Sequence, residues 1–238
     1  MTATPVTKTT GPADTPGPTE SAGAYEPTAL TVPSRSRDRA RYDRETVHSI
    51  LDQAYICHLG FIRDGAPVVL PTLYARVGEA LYMHGSTGSR PLLAAGKADP
   101  GLAVCVTVTH LDGLVLARSA FHHSLNYRSV VVHGTARQVT DEAECRMALD
   151  SMVDAVVPGR SRDVRPANTR ELAATAVIRV DLDEVSAKLR TGGPNDDAED
   201  LDLPYWSGVV PVAPVYGTPV PAADLAPGIA VPDYVSAL

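Results

Sequence analysis

The chain has 238 residues, of which 44% are hydrophobic, 21% charged and only 5% aromatic, a composition that supports one packed domain with tails rather than a wholly disordered polymer. Its formal net charge of -7 argues against a protein built to grip nucleic-acid phosphates. Every lysine and arginine stands at or before Arg190, and the seven acids beyond it equal the whole net charge, so the part that precedes Thr191 is neutral by count.

Residues 1–36 are rich in Thr, Pro, Gly and Ala, and so few large apolar groups predict a disordered tail that cannot offset its own ordering entropy. The basic run Arg35, Arg37, Arg39 and Arg41 is interleaved with Asp38 and Asp43 and reads as a solvated approach to a domain over 37–190. Asp43 is an N-cap candidate for a helix with Val47, Ile50, Leu51 and Ala54 on one face, suited to cover one end of a barrel. Strand-like runs follow at 55–62, 68–76, 80–84, 102–109, 114–117, 129–139 and 176–180. Asp64-Gly65, Val77-Gly78 and Asp112-Gly113 are tight-turn signals between several of them.

Two helices interrupt these strands, one opening at Pro91 and one starting at Asp141 with Cys145, Ala148, Leu149, Met152 and Val156 on its buried face. The pattern predicts a mainly β fold with flanking helices, an antiparallel barrel rather than a doubly wound parallel sheet. Residues 191–238 predict an acidic, Pro-rich extension wrapping the barrel, and five prolines in the uncharged stretch 203–223 exclude a membrane helix there. Cys57, Cys105 and Cys145 form neither a CxxC pair nor an even disulfide set, and the N-terminus lacks a secretory pattern, so the expected compartment is the cytoplasm.

Three segments carry candidate chemistry. In 81–93 a strand ends at His84, a loop Gly85-Ser86-Thr87-Gly88-Ser89 follows, and a helix begins at Arg90-Pro91. Free N–H groups, the hydroxyls of Ser86, Thr87 and Ser89, and the Arg90 guanidinium could converge there on a dianion, although the GxxxxGK[ST] order is absent and a plain strand-to-helix turn is the alternative. In Pro67-Val68-Val69-Leu70-Pro71-Thr72, prolines inside an apolar run imply an edge or bulge whose unpaired backbone could serve a flat heterocycle. In Asn126-Tyr127-Arg128-Ser129, a polar pair stands where a loop enters an apolar strand, facing a ligand or making a strand-end ion pair. Adjacent Cys57 and His58 point to opposite faces of a strand, which removes a cysteine–histidine dyad. His122-His123 reads as a loop pair without identified metal partners.

Taken together, Pro67–Pro71, Tyr82–Arg90 and Tyr127–Gly134 resemble the FMN-binding split-barrel superfamily of pyridoxamine 5'-phosphate oxidases, most closely its nitroimidazole-resistance and flavin-nucleotide-binding branch, over about residues 40–210. The resemblance implies an FMN whose phosphate is held by Ser89 and Arg90 with Ser86 and Arg128 as further contacts, beside Ser129. It implies that Val69, Leu70, Pro71 and Thr72 line the isoalloxazine. Arg90 stands where the branch has Lys, which keeps the charge and changes the donor geometry. His84, beside the phosphate loop, is the candidate catalytic and cofactor-contacting residue, with a structural hydrogen bond as the alternative, and Trp206, in a WxGVxP-like ending, either caps the cofactor or packs on the barrel.

The implied protein is a homodimer with flavin at the subunit interface, passing hydride or electrons between a reduced nicotinamide, NAD(P)H, and a small organic acceptor. Nothing after Arg190 is basic, which argues against vitamin B6 oxidation. The alternatives are a deazaflavin- or haem-binding split barrel and a non-catalytic flavin carrier or sensor.

Overall fold

The computed structural model describes residues 23–238, and the side chains of Arg90, Leu92 and Leu93 also lie outside the described set. In chain order the elements are β1 (Ala40–Arg41), α1 (Arg44–Asp52), β2 (Ile56–Arg63), β3 (Ala66–Val77), β4 (Ala80–Ser86), α2 (Arg90–Lys97), β5 (Leu102–Leu116), β6 (Ser124–Gln138), α3 (Glu142–Val156), α4 (Thr169–Ala174), β7 (Thr175–Asp181), β8 (Glu184–Arg190), β9 (Gly208–Pro211) and α5 (Asp233–Ser236).

All pairings between these strands are antiparallel. The order β6-β7-β4-β3-β2-β5 returns to β6 through the long β5–β6 pairing, which closes a six-stranded barrel. Two strands fork. β6 pairs with β8 over Tyr127–His133 and with β7 only at Arg137 and Gln138. β3 pairs with β2 over Ala66–Leu73 and with β4 only over Tyr74–Val77. The expected antiparallel split barrel is therefore the observed fold.

Side-chain alternation divides the apolar residues between two cores. Leu81, Met83, Ile178, Val180, Val106 and Val130 fill the barrel, where Val47, Ile50 and Leu51 of α1 close one end. Tyr82 and Val177 point the other way and pack under Ala148 and Met152 of α3. α1 starts where Asp43 accepts a hydrogen bond from the Thr46 amide at 2.8 Å, and α3 where Asp141 does the same for Glu144.

Several boundaries differ from the sequence expectation. Residues 1–22 lie outside the described residues, but the chain from Gly23 onward is docked, not part of a free tail. Tyr25 is 3% exposed, its amide donates to the Tyr42 carbonyl, and Ala24 forms a bridge with Asp43. Asp112-Gly113 is not a hairpin turn: it sits at a register shift inside one continuous strand, β5. The extension beyond Arg190 is not merely wrapping, since β9 adds to the edge of β5. Farther on, Tyr234 donates to Asp163 at 2.5 Å and accepts from Arg160 at 3.0 Å.

The packing predicts a limit at high pH. Burial and then the hydrogen bond to Glu144 push Tyr82 up to about 12, and burial pushes the Cys57 thiol up to about 12. An unfolded tyrosine ionises near about 10, so above that pH the unfolded chain sheds protons that the folded one keeps. This stability is complete below the unfolded value and is lost as pH rises through the folded one. With an unfolded cysteine ionising below the tyrosine, urea midpoints should fall between about pH 9 and 12, and Tyr82→Phe should flatten the part of that fall above about pH 10; an unaltered pH profile in the variant would refute the assignment.

Candidate functional site

The fork in β3 builds one side of the candidate site. From Ala66 to Leu73 the strand has β2 on one edge and no named strand on the other. Proline has no N–H to give, so an intact ladder turns Pro67 and Pro71, and Val69 with them, toward the free edge. The Tyr74 amide, of opposite parity, does point to the β2 side, donating to the Tyr55 carbonyl at 3.1 Å. Val69 is 62% exposed and Leu70 37%, while Thr72 is half-buried. The edge implied by the two prolines is therefore real, and it offers the Val69 amide and the carbonyls of Pro67, Val69 and Pro71.

The second wall is the turn after β4. The Ser89 amide donates to the Ser86 carbonyl at 2.8 Å, the Gly88 amide to Ser86 Oγ at 3.2 Å, and the Thr87 amide to the Ala174 carbonyl at 3.1 Å. Ser89 occupies the N-cap of α2 without a side-chain cap bond, so its hydroxyl and the first-turn amides remain available. Arg90 opens that helix. This arrangement can take a phosphoryl group.

Arg128 and Ser129 make their side-chain contacts elsewhere in the fold. Nine residues of β6, about 30 Å of extended strand, separate Arg128 from Arg137, where β6 meets β7. Arg128 instead forks onto Asp112 with two bonds of 2.9 Å and reaches Gln53 Oε1 at 2.8 Å. Ser129 Oγ donates to the Lys188 carbonyl at 3.2 Å. Reading Asp112-Gly113 as a turn concealed the acid that faces Arg128. Trp206 is 67% exposed, and its ring lies over Gly208 at the start of β9.

His84 lies on the α3 side of β4, half-buried, with Nδ1 3.1 Å from Met152 Sδ. Burial lowers its pKa, which favours the neutral ring. It borders a cleft of about 610 Å³ between the end of β3, α3 and the 157–167 connection. Sequence periodicity marked the buried face of α3 but gave no signal for this connection. Among the described residues no group of three or more His, Cys, Asp or Glu could hold a metal ion, and no helix is long and apolar enough to cross a membrane.

The model of the pyridoxamine 5'-phosphate oxidase family matches residues 43–189, which spans the barrel. The chain belongs to that family. Two solved structures are similar over nearly their whole length. The flavocytochrome Anf3 from Azotobacter vinelandii has 38% identity and a TM-score of 0.82, with 89% of this chain and 97% of that one covered. The FAD and haem binding protein from Mycobacterium smegmatis has 39% identity and a TM-score of 0.78, with 84% and 96% covered. A Bacteroides thetaiotaomicron structure described in terms of 5-nitroimidazole antibiotic resistance has 22% identity and a TM-score of 0.51, covering 63% of this chain and 85% of that one, and it shares the fold. No curated protein matches the sequence. Family membership and the open β3 edge agree with the expectation drawn from the three motifs.

Proposed function

We propose that this chain is a flavin-dependent redox protein that also carries a haem. The observation that carries this reading is the likeness, at 38% and 39% identity across most of the chain, to a flavocytochrome and to an FAD and haem binding protein. The residues present fit a flavin. The β3 edge supplies one donor and several acceptors to a planar ring, while the Ser89 hydroxyl and the α2 amides are placed to take a phosphate, to which the charge of the adjoining Arg90 would add. Bound there, the flavin would provide hydride and electron transfer, with the haem as a one-electron partner.

The FMN half is common to FMN and FAD, and we assign the β3 edge and the Ser86–Arg90 turn to that half. On this reading a second copy of the chain would bring Arg128, Ser129 and Trp206 to the flavin. Exposed Ile56, Ile62, Val69 and Leu125 on the barrel strands are suited to a homodimer contact. The electron source on this reading is NAD(P)H, the acceptor a small organic molecule, and the compartment the cytoplasm.

An absorption spectrum of the purified full chain tests the core of this reading. Two flavin bands together with a Soret band are expected; a colourless protein that takes up neither group on reconstitution would refute it. Chromatography of the released flavin distinguishes FMN from FAD, and stopped-flow mixing with NADH or NADPH separates a reductase from a passive carrier. Arg90→Ala should weaken flavin binding by roughly 10- to 150-fold, the equivalent of about 1.5–3 kcal/mol for a charge-assisted contact. Unchanged affinity in a flavin titration would displace the phosphate from this turn.

A further inference from the structure

We propose that the cleft beneath α3 is the porphyrin site and that the His84 imidazole is the axial ligand of its iron. The inference rests on the haem reading above and assigns that haem to residues of this chain. The cleft, about 610 Å³, falls within the ~300–1,000 Å³ typical of cofactor-sized pockets. Leu73, Leu149, Val153, Val156 and Val164 give it aliphatic walls, as a porphyrin face requires. His84 is the one imidazole among its lining residues, and its Nε2 has no hydrogen-bond partner in the described structure. Arg160 and Arg165 also line the cleft, paired with Asp163 and Glu171, and would exchange those partners for the two carboxylates that such a ring carries.

The other histidines are placed differently. His48 is bound to Tyr25 and Glu79, His110 Nε2 to the Ile50 carbonyl, and His122 Nε2 to Asp197. His58 and His123 are exposed, and His133 stands on β6; none of these three lines the cleft. Leu73 both lines the cleft and follows directly on the Val69–Thr72 edge assigned to the flavin. The two groups would thus be neighbours across β3, a placement suited to passing electrons from one to the other.

The test is titration of the full chain with haemin, followed by its Soret band and electron paramagnetic resonance, with flavin absorbance recorded in parallel. The wild type should give a histidine-ligated spectrum. His84→Ala should weaken haem uptake by about tenfold or more, a step of about 1.4 kcal/mol or more, retain its flavin bands, and recover a ligated spectrum with added imidazole. Val153→Trp, a substitution at a partly exposed α3 position, should block uptake by filling the cleft, which keeps the site testable if His84→Ala folds poorly. Loss of the Soret band in His123→Ala but not in His84→Ala or Val153→Trp would overturn the assignment and leave the haem reading standing. Failure of the wild type to bind haemin, with flavin still bound, would remove the haem reading itself.

Discussion

Tyr25→Ala should lower stability by about 3–5 kcal/mol, the range for truncating a large buried aromatic side chain. At about 2–4 °C per kcal/mol for a chain of this size, the melting temperature should drop by roughly 6–20 °C. The side chain is 3% exposed and its hydroxyl donates to Glu79 at 2.9 Å while lying 2.9 Å from His48 Nε2. The Arg44 guanidinium sits over the ring at 4.4 Å. One residue thereby ties the N-terminal segment to α1 and to the β3–β4 turn. A chain starting at Arg35 should behave like Tyr25→Ala. Equal melting temperatures for all of these in calorimetry would show that the segment contributes nothing.

Tyr74→Ala should be at least as damaging, by about 3–5 kcal/mol, and should also loosen the site. Tyr74 is 1% exposed, and its hydroxyl donates to the Leu51 carbonyl near the end of α1. It is also the first β3 residue paired to β4, so it fixes where the two strands part. Removing the ring opens a void in the barrel and frees the adjacent Leu73, which borders both the flavin edge and the cleft. Tyr74→Phe keeps the packing and loses mainly one hydrogen bond, worth about 1 kcal/mol. Denaturant melts should rank wild type, Phe and Ala in that order. Flavin affinity should fall further in the Ala variant; full affinity there would mean that the split in the sheet does not hold the ring.

Runs of Val, Leu and Ile made β2, β3, β4, β6 and β7 legible in the sequence, because a strand of a small barrel must bury one face, whereas β5 was read as two strands because its irregularity at Asp112-Gly113 resembles a turn. β8 escaped because its inward residues Val185 and Ala187 are small and alternate with Glu184, Ser186 and Lys188. The docking of Tyr25 was illegible for a different reason: a single buried aromatic in a Thr- and Pro-rich stretch has no periodicity. At the site, the Pro67–Pro71 spacing revealed the open edge, since the missing N–H groups constrain which way the strand faces. The pairing of Arg128 with Asp112 depends on the register of β6 against β5. The cleft around His84 depends on α3 and the connection after it, elements that follow that residue by scores of positions. Local motifs cannot encode either relation.

The short pairing of β9 with β5 has a consequence for solution behaviour. It satisfies the main chain of Gly113–Leu116, where Leu114 is 38% exposed. Without that cover the segment would be a sticky template for strands of other molecules. The segment from Gly208 onward also carries Asp224 and Asp233, so its loss would weaken the long-range repulsion between copies that the net charge of -7 provides. Clipping the polypeptide ahead of Gly208 would therefore convert a dispersed protein into one prone to stack edge to edge.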